Sequence, residues 1–154
     1  YTVHFRRDYG KNYSILTLRG FGPSFIEVIM TADQIFDNVI ALMFAEQTDK
    51  EDYEENFMAQ LNMKLAEAFV VNNSIRLQKG KENLLEPPFI TDLSQETGYE
   101  FELERYILPL GIAGTLFVDD DDTGIANDYR QRYDAGLLKS ARARFADVAR
   151  SDDG

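Results

Sequence analysis

The chain has 154 residues, no cysteine and a formal net charge of −11 at pH 7. This length suits one domain with a sizeable core, and the lack of cysteine excludes disulfides, thiolate chemistry and zinc–cysteine sites. No apolar run approaches the length of about 18 residues that a membrane-spanning helix needs, and an acidic body repels the phosphates of duplex DNA.

The charge is spread unevenly along the sequence. Residues 1–29 carry four basic and two acidic side chains, whereas residues 30–124 carry six basic and twenty acidic ones. Residues 125–150 reverse the balance, with six basic against three acidic side chains. The C-terminal part is therefore the basic exception in an acidic protein.

The N-terminal residues have a β-prone composition. Residues 2–6 and 13–18 flank a turn cluster at residues 8–12, which predicts a β-hairpin. Alternatively, residues 1–29 are a non-native upstream segment, because Met30 directly precedes a helix-start signal and would suit a native start. We therefore divide the chain into an N-terminal extension, a helical domain and a polar tail, at residues 1–29, 30–150 and 151–154.

A helix-start signal known as the capping box occurs three times, as Thr31-x-x-Gln34, Thr48-x-x-Glu51 and Thr97-x-x-Glu100. In such a box the Thr hydroxyl and the longer side chain each satisfy one free backbone N–H. Together with helical apolar spacing, these signals predict four helices, over residues 32–45, 49–72, 98–118 and 124–150. The short first connection predicts that the first two helices pack antiparallel.

Residues 73–95 interrupt the helical pattern. The run Ser74-Ile75-Arg76-Leu77-Gln78 is compatible with a short strand followed by a turn, and Pro87-Pro88 forces extended backbone. We interpret this region as an extended arm between two helix pairs. The fold class is thus mainly α: an antiparallel bundle of about four helices with an arm and an N-terminal β-hairpin.

Single residues in the helices carry further expectations. Pro109 predicts a kink or break near residues 105–108, because it removes one helical hydrogen bond. Gly111 and Gly114 favour close approach of another helix over admission of a ligand. Asn62 is a mediocre helix former, so we expect its amide to bind backbone or a neighbouring helix.

Two features invite a metal or catalytic interpretation. The single histidine, His4, has no nucleophile context and is better explained as a strand residue. The run Asp119–Asp122 with Thr123 and Gly124 is similar to a calcium loop, but its twelfth position is Arg130, where a bidentate Glu is required. A solvated turn at the start of the last helix is the favoured interpretation.

Paired carboxylates are a second possible basis for chemistry. Glu51 and Glu55 share one helix face, and so do Glu100 and Glu104. We expect both pairs to face water, where nothing raises a pKa for general acid–base work. The sequence therefore assigns no catalytic, cofactor-binding or metal-ligating residue.

The last predicted helix is the best candidate for a binding function. Its first half fits core packing, whereas its second half combines positive charge with apolar residues. This pattern favours docking on an acidic protein surface over nucleic-acid binding. The candidate partner-binding residues are Lys139, Arg142, Arg144, Phe145, Val148 and Arg150.

Several strings between residues 30 and 145 carry a family resemblance. They are Thr31-Ala32-Asp33-Gln34-Ile35, the run of residues 53–65 with Leu61-Asn62-Met63-Lys64-Leu65-Ala66-Glu67, Ile107-Leu108-Pro109-Leu110-Gly111-Ile112-Ala113, and Ala126-Asn127-Asp128-Tyr129-Arg130-Gln131-Arg132-Tyr133-Asp134-Ala135-Gly136-Leu137. In this order the chain resembles the head–tail connector (adaptor) proteins of tailed bacteriophages.

The resemblance implies a non-enzymatic structural protein without a cofactor. It implies a ring, commonly of twelve copies, that lies beneath the portal protein, extends the DNA channel and offers a platform for tail or neck proteins. DNA would pass without sequence-specific binding, and the protein would reside in the virion after assembly in the host cytoplasm. The alternatives are a generic helical protein-interaction module and a metal-dependent protein that uses Asp119–Asp122.

Overall fold

The computed structural model describes residues 7–8, 11–12, 14–17, 26–119 and 123–151. The described part is mainly helical, as the sequence predicts. Its four α-helices are α1 (Ala32–Leu42), α2 (Lys50–Gln78), α3 (Leu108–Asp119) and α4 (Thr123–Ser151). A 3-10 turn at Gln47–Asp49 leads into α2, and a π-helical segment at Leu103–Ile107 leads into α3.

Short antiparallel strands precede the helices. The described strands are β1 (Arg7–Asp8), β2 (Lys11–Asn12), β3 (Ser14–Thr17) and β4 (Ile26–Ile29). β1 pairs with β2, and β3 pairs with β4 so that Ser14 lies opposite Ile29. The predicted hairpin partner, residues 2–6, lies outside the described residues.

The first predicted capping box is confirmed at the start of α1. The Gln34 backbone N–H donates to Thr31 Oγ1 at 3.4 Å, and the Thr31 N–H donates to Gln34 Oε1 at 3.0 Å. α1 ends at Leu42 rather than at residue 45. Phe44 adopts a φ of 57°, a left-handed conformation that cannot continue a right-handed helix.

The other two predicted capping boxes are wrong. The residue that precedes α2 is Asp49, which makes no side-chain cap, because the chain already turns in the 3-10 helix that runs into α2. The Thr48 hydroxyl instead donates to Asp49 Oδ1 at 3.4 Å. The Thr97 hydroxyl donates to Glu104, and regular helical turns begin only at Phe101.

α2 is longer than predicted, and the strand interpretation of Ser74–Gln78 is wrong. These residues form the last turns of α2, where the Ser74 hydroxyl donates to the Val70 carbonyl at 3.0 Å. Ile75 is buried on the same face as Leu61, Leu65, Ala68 and Asn72. Burial of that face therefore outweighs the local strand preference of the sequence.

The chain then runs back along α2 without a regular helix or strand, and we call residues 81–100 the return segment. Asn73 exchanges two hydrogen bonds with the Leu84 backbone, at 2.9 and 3.0 Å. Asn62 does the same with the Ile90 backbone, at 2.7 and 2.9 Å. The expectation that the Asn62 amide binds backbone is confirmed, and the predicted arm lies against a helix.

α3 and α4 approach each other closely, as the glycines predict. A Cβ atom on Gly111 would lie 2.7 Å from a Tyr133 ring carbon, and one on Gly114 would lie 3.1 Å from the Ala126 carbonyl oxygen. Ile107 meets Gly136 in the same interface. Pro109 is the second residue after the π-helical segment, so the predicted irregularity in this helix is also confirmed.

The core lies between these helices. Phe36 of α1 stacks on Phe57 of α2 with ring centroids 4.1 Å apart, and both side chains are fully buried. α3 contributes the fully buried Leu108 and Ile112. Within the ranges that the structure describes, no helix is both long and apolar enough to cross a membrane.

Candidate functional site

The single histidine and most of the aspartate run, which the sequence interprets as a strand residue and a solvated turn, lie outside the described residues. This applies to His4 and to residues 120–122, and Asp119 is described only as the end of the α3 backbone. Among the residues with a described position, no group of three or more His, Cys, Asp or Glu side chains lies close enough to hold a metal ion.

The expectation for the acidic pairs is right at one pair and wrong at the other. Glu51 and Glu55 are exposed on α2. In contrast, Glu100 is 3% exposed and Glu104 is 0% exposed. The local pattern suggested a solvated first turn, but Glu104 lies in the π-helical segment, which packs into the core.

Glu104 joins three parts of the chain. Its Oε2 accepts a hydrogen bond from the Met30 backbone N–H at 3.1 Å, and its Oε1 accepts one from the Thr97 hydroxyl. Burial raises the pKa of Glu104 to about 7, although these hydrogen bonds act in the opposite direction. The carboxyl group therefore ties the end of β4 and the return segment to the start of the last helix pair.

Glu100 is the centre of a second polar cluster. Lys79 Nζ lies 2.7 Å and Lys81 Nζ 2.9 Å from its carboxylate oxygens, and its backbone N–H donates to Asn72 Oδ1 at 2.8 Å. Burial alone would raise the pKa of Glu100, but the hydrogen bonds and charges of the two lysines outweigh it and lower the pKa. Lys79 also pairs with Glu102 at 2.7 Å.

A cavity of about 260 Å³ adjoins this cluster and is lined by Lys79, Lys81, Glu100 and Glu102, with Val28, Tyr99 and Phe101. Both lysines that face it already bind carboxylates of the same cluster. The arrangement is that of an ion-pair network that fixes the end of α2 against the return segment.

An exposed apolar face on α2 is the feature that the sequence interpretation missed. We call it the α2 stripe, and its members are Ala59, Met63, Ala66, Val70 and Leu77, all exposed. Val70 is 73% exposed and Met63 56%. Their spacing of three, four and seven residues places them along one helix face. The same spacing is visible in the sequence, next to the core positions 57, 61 and 65.

The return segment extends the α2 stripe. Leu85 is 99% exposed and Phe89 is 74% exposed. The bonds from Asn62 to Ile90 and from Asn73 to Leu84 hold the backbone next to these two residues against α2. Exposed apolar side chains grouped in this way are typical of an interaction site.

α4 divides into two halves. In the first half, the Tyr129 hydroxyl donates to the Leu42 carbonyl at 2.9 Å and the Tyr133 hydroxyl donates to Glu67 at 3.1 Å, so this half belongs to the core as predicted. In the second half, Lys139 and its neighbour Leu138 are exposed. The other candidate residues lie on the α4 backbone with side chains outside the described part; they are Arg142, Arg144, Phe145, Val148 and Arg150.

Comparison of the chain with protein-family models, with curated proteins and with solved structures found no match.

Proposed function

We propose that this chain is a non-enzymatic structural subunit of a phage particle, an adaptor at the junction of head and tail. In this role it forms a ring beneath the portal, extends the DNA channel and gives tail or neck proteins a surface to bind. The observation that carries the proposal is the presence of two unlike helical surfaces, the exposed α2 stripe and the basic end of α4.

A ring subunit needs two different surfaces, because each copy contacts one neighbour on its left and another on its right. A protein with one binding partner needs only one such surface. The α2 stripe is apolar and lies in the acidic part of the chain, whereas residues 139–150 carry four basic and one acidic side chain. These two surfaces lie on different helices.

The helices are proposed to form an antiparallel bundle of two pairs. α3 and α4 support this arrangement, since Ile107 meets Gly136 while Gly111, further along α3, meets the earlier Tyr133. In the proposed subunit the return segment joins the two pairs, and the strands that precede Met30 form an antiparallel extension.

Charge supports passage of DNA through such a ring without binding. Four carboxylates are exposed at the start of α2, on Glu51, Asp52, Glu54 and Glu55. A channel wall with this composition repels phosphate, so a duplex can slide along it without being held. The basic end of α4 would then face the portal or a neighbouring subunit.

A generic helical protein-interaction module is the second candidate, because the same two surfaces could serve an unrelated partner. The two functions differ in a direct assay. The portal protein encoded by the same genome is purified as rings and mixed with this chain. The mixture is then imaged by electron microscopy. The adaptor function requires an added ring of density below the portal, and unchanged portal rings would refute it.

A matched variant sharpens this assay. Lys139→Glu combined with Arg142→Glu and Arg144→Glu reverses the charge at the end of α4, and the added density should then disappear. Glu51→Lys with Glu54→Lys changes a comparable number of charges on exposed positions of α2 away from the α2 stripe and should leave portal binding intact. Circular dichroism of each variant verifies that the helices are retained.

A further inference from the structure

The α2 stripe has the spacing of a helix-packing seam. Ala59, Met63, Ala66 and Val70 follow one another at intervals of four, three and four residues, and Leu77 continues the line after Asn73. This alternation is the pattern with which one helix packs along another. The described part of the chain leaves this seam uncovered, since Met63, Val70 and Leu77 are each more than half exposed.

The second half of α4 carries a matching line. Positions Leu138, Ala141, Phe145 and Val148 are separated by three, four and three residues. The α4 backbone is helical through Ser151, so these positions lie along one side of the helix. Leu138, which begins the line, is 51% exposed.

The borders of the two lines have opposite charge. Glu55, Glu82 and Glu86 are exposed beside the α2 stripe and its extension on the return segment. The α4 line is interleaved with Lys139, Arg142 and Arg144. Opposite charges at the rim of an apolar contact favour this pairing and disfavour pairing of either surface with itself.

The structure assigns the α2 stripe to the second half of α4 from another copy of this chain, an assignment that rests on the proposed ring function. Within one copy, α4 meets α2 at a different face, where Tyr133 contacts Glu67 and Lys64. A contact between two unlike surfaces of identical chains is head-to-tail and repeats from copy to copy until a ring closes.

Disulfide trapping tests this contact cleanly because the chain has no cysteine of its own. A chain with Leu138→Cys is mixed with a tagged chain that carries Met63→Cys, Val70→Cys or Leu77→Cys, and each mixture is oxidised mildly. The expected product is a mixed dimer for at least one stripe position, formed in preference to either homodimer. Salt near 1 M, which shortens the screening length to about 3 Å, should reduce its yield.

An off-stripe cysteine and a charge reversal serve as controls for the proposed contact. Glu54→Cys lies on α2 but off the stripe and should give no mixed dimer with Leu138→Cys. Glu82→Lys with Glu86→Lys in the stripe chain should lower the yield of mixed dimer. If no stripe position forms a mixed dimer, or if homodimers dominate, the assignment is wrong.

The outcome separates this assignment from the adaptor function. The trapping experiment is run with the chain alone and again on portal rings. Added density on the portal without any mixed dimer in either setting overturns the α2–α4 contact and leaves the adaptor function standing. A mixed dimer together with unchanged portal rings supports the contact and refutes the adaptor function.

Discussion

The Met30 backbone N–H donates a hydrogen bond to the buried carboxyl group of Glu104, which lies 74 positions further along the chain and 3.1 Å away. Glu104 Oε1 binds the Thr97 hydroxyl at the same time. A carboxylate without a cationic partner is costly to bury, and its proton affinity rises as a result. This contact therefore makes the stability of the fold depend on pH.

Glu104→Gln should remove a specific part of that pH dependence. The pKa of Glu104 is about 7 in the folded chain, against an ordinary value of 4.5 for a glutamate exposed to water. Between these pH values the folded state holds a proton that the unfolded state has lost, so this group's stabilisation is lost as pH rises through about 7. The unfolding free energy of the variant minus that of the wild type should therefore increase with pH. The increase from about pH 4.5 to about pH 8 should be on the order of 3 kcal/mol.

Urea unfolding of both proteins over this pH range measures the effect. Glu51→Gln is the matched control, because Glu51 is exposed on α2 and its removal should leave the curve parallel to that of the wild type. Parallel curves for Glu104→Gln would contradict a raised pKa at this position.

Asn62→Ala should release the return segment from α2. The substitution removes two hydrogen bonds to the Ile90 backbone and leaves a buried N–H and C=O without their partners. We expect a loss of about 2–3 kcal/mol in unfolding free energy. Asn83→Ala, at an exposed position of the return segment, should cost less than about 0.5 kcal/mol. Equal losses for the two variants would show that the Asn62 amide has no special role.

Gly111→Ala should push α3 away from α4. The new Cβ atom would lie 2.7 Å from a Tyr133 ring carbon, and the buried ring cannot move freely. The net cost should be about 1–3 kcal/mol, even after the gain in helix propensity. Gly136→Ala meets the Ile107 side chain at 3.1 Å, a less severe contact than the 2.7 Å at Gly111, and should cost less. Thermal unfolding compares the two, and a neutral Gly111→Ala would refute the close approach.

The isolated chain should be largely monomeric in solution. Its net charge of −11 disfavours self-association at low salt. Sedimentation equilibrium in the absence of portal protein measures the mass directly. A stable dodecamer under these conditions would contradict the expectation, whereas weak, salt-dependent association agrees with the contact inferred for the α2 stripe.

The features that sequence reasoning predicted correctly depend on neighbours in the chain. The Thr31 capping box, the irregularity before Pro109 and the close approach at Gly111 each follow from the intrinsic chemistry of a few adjacent residues. Asn62 also belongs here, because an amide in mid-helix needs a partner wherever the chain supplies one.

The features that were missed depend on distant contacts. Thr97 and Glu100 have the spacing of a capping box, but Thr97 binds Glu104, and Glu100 binds lysines from the end of α2. Ser74–Gln78 is compatible with a strand by local sequence, but these residues continue α2 with Ile75 buried on its core face. The α2 stripe was overlooked because a helix with two apolar faces presents two overlapping periodicities, and the core face was the stronger one.

The asparagine bonds to the return segment have a consequence for how this surface can evolve. Asn62 and Asn73 bind the backbone rather than the side chains of Ile90 and Leu84, so they hold the segment in place whatever side chains it carries between those points. Pro87-Pro88 further restricts the backbone before any partner is bound. The exposed positions 85, 86 and 89 can therefore change their side chains without loss of the hydrogen bonds and prolines that fix the backbone of the segment.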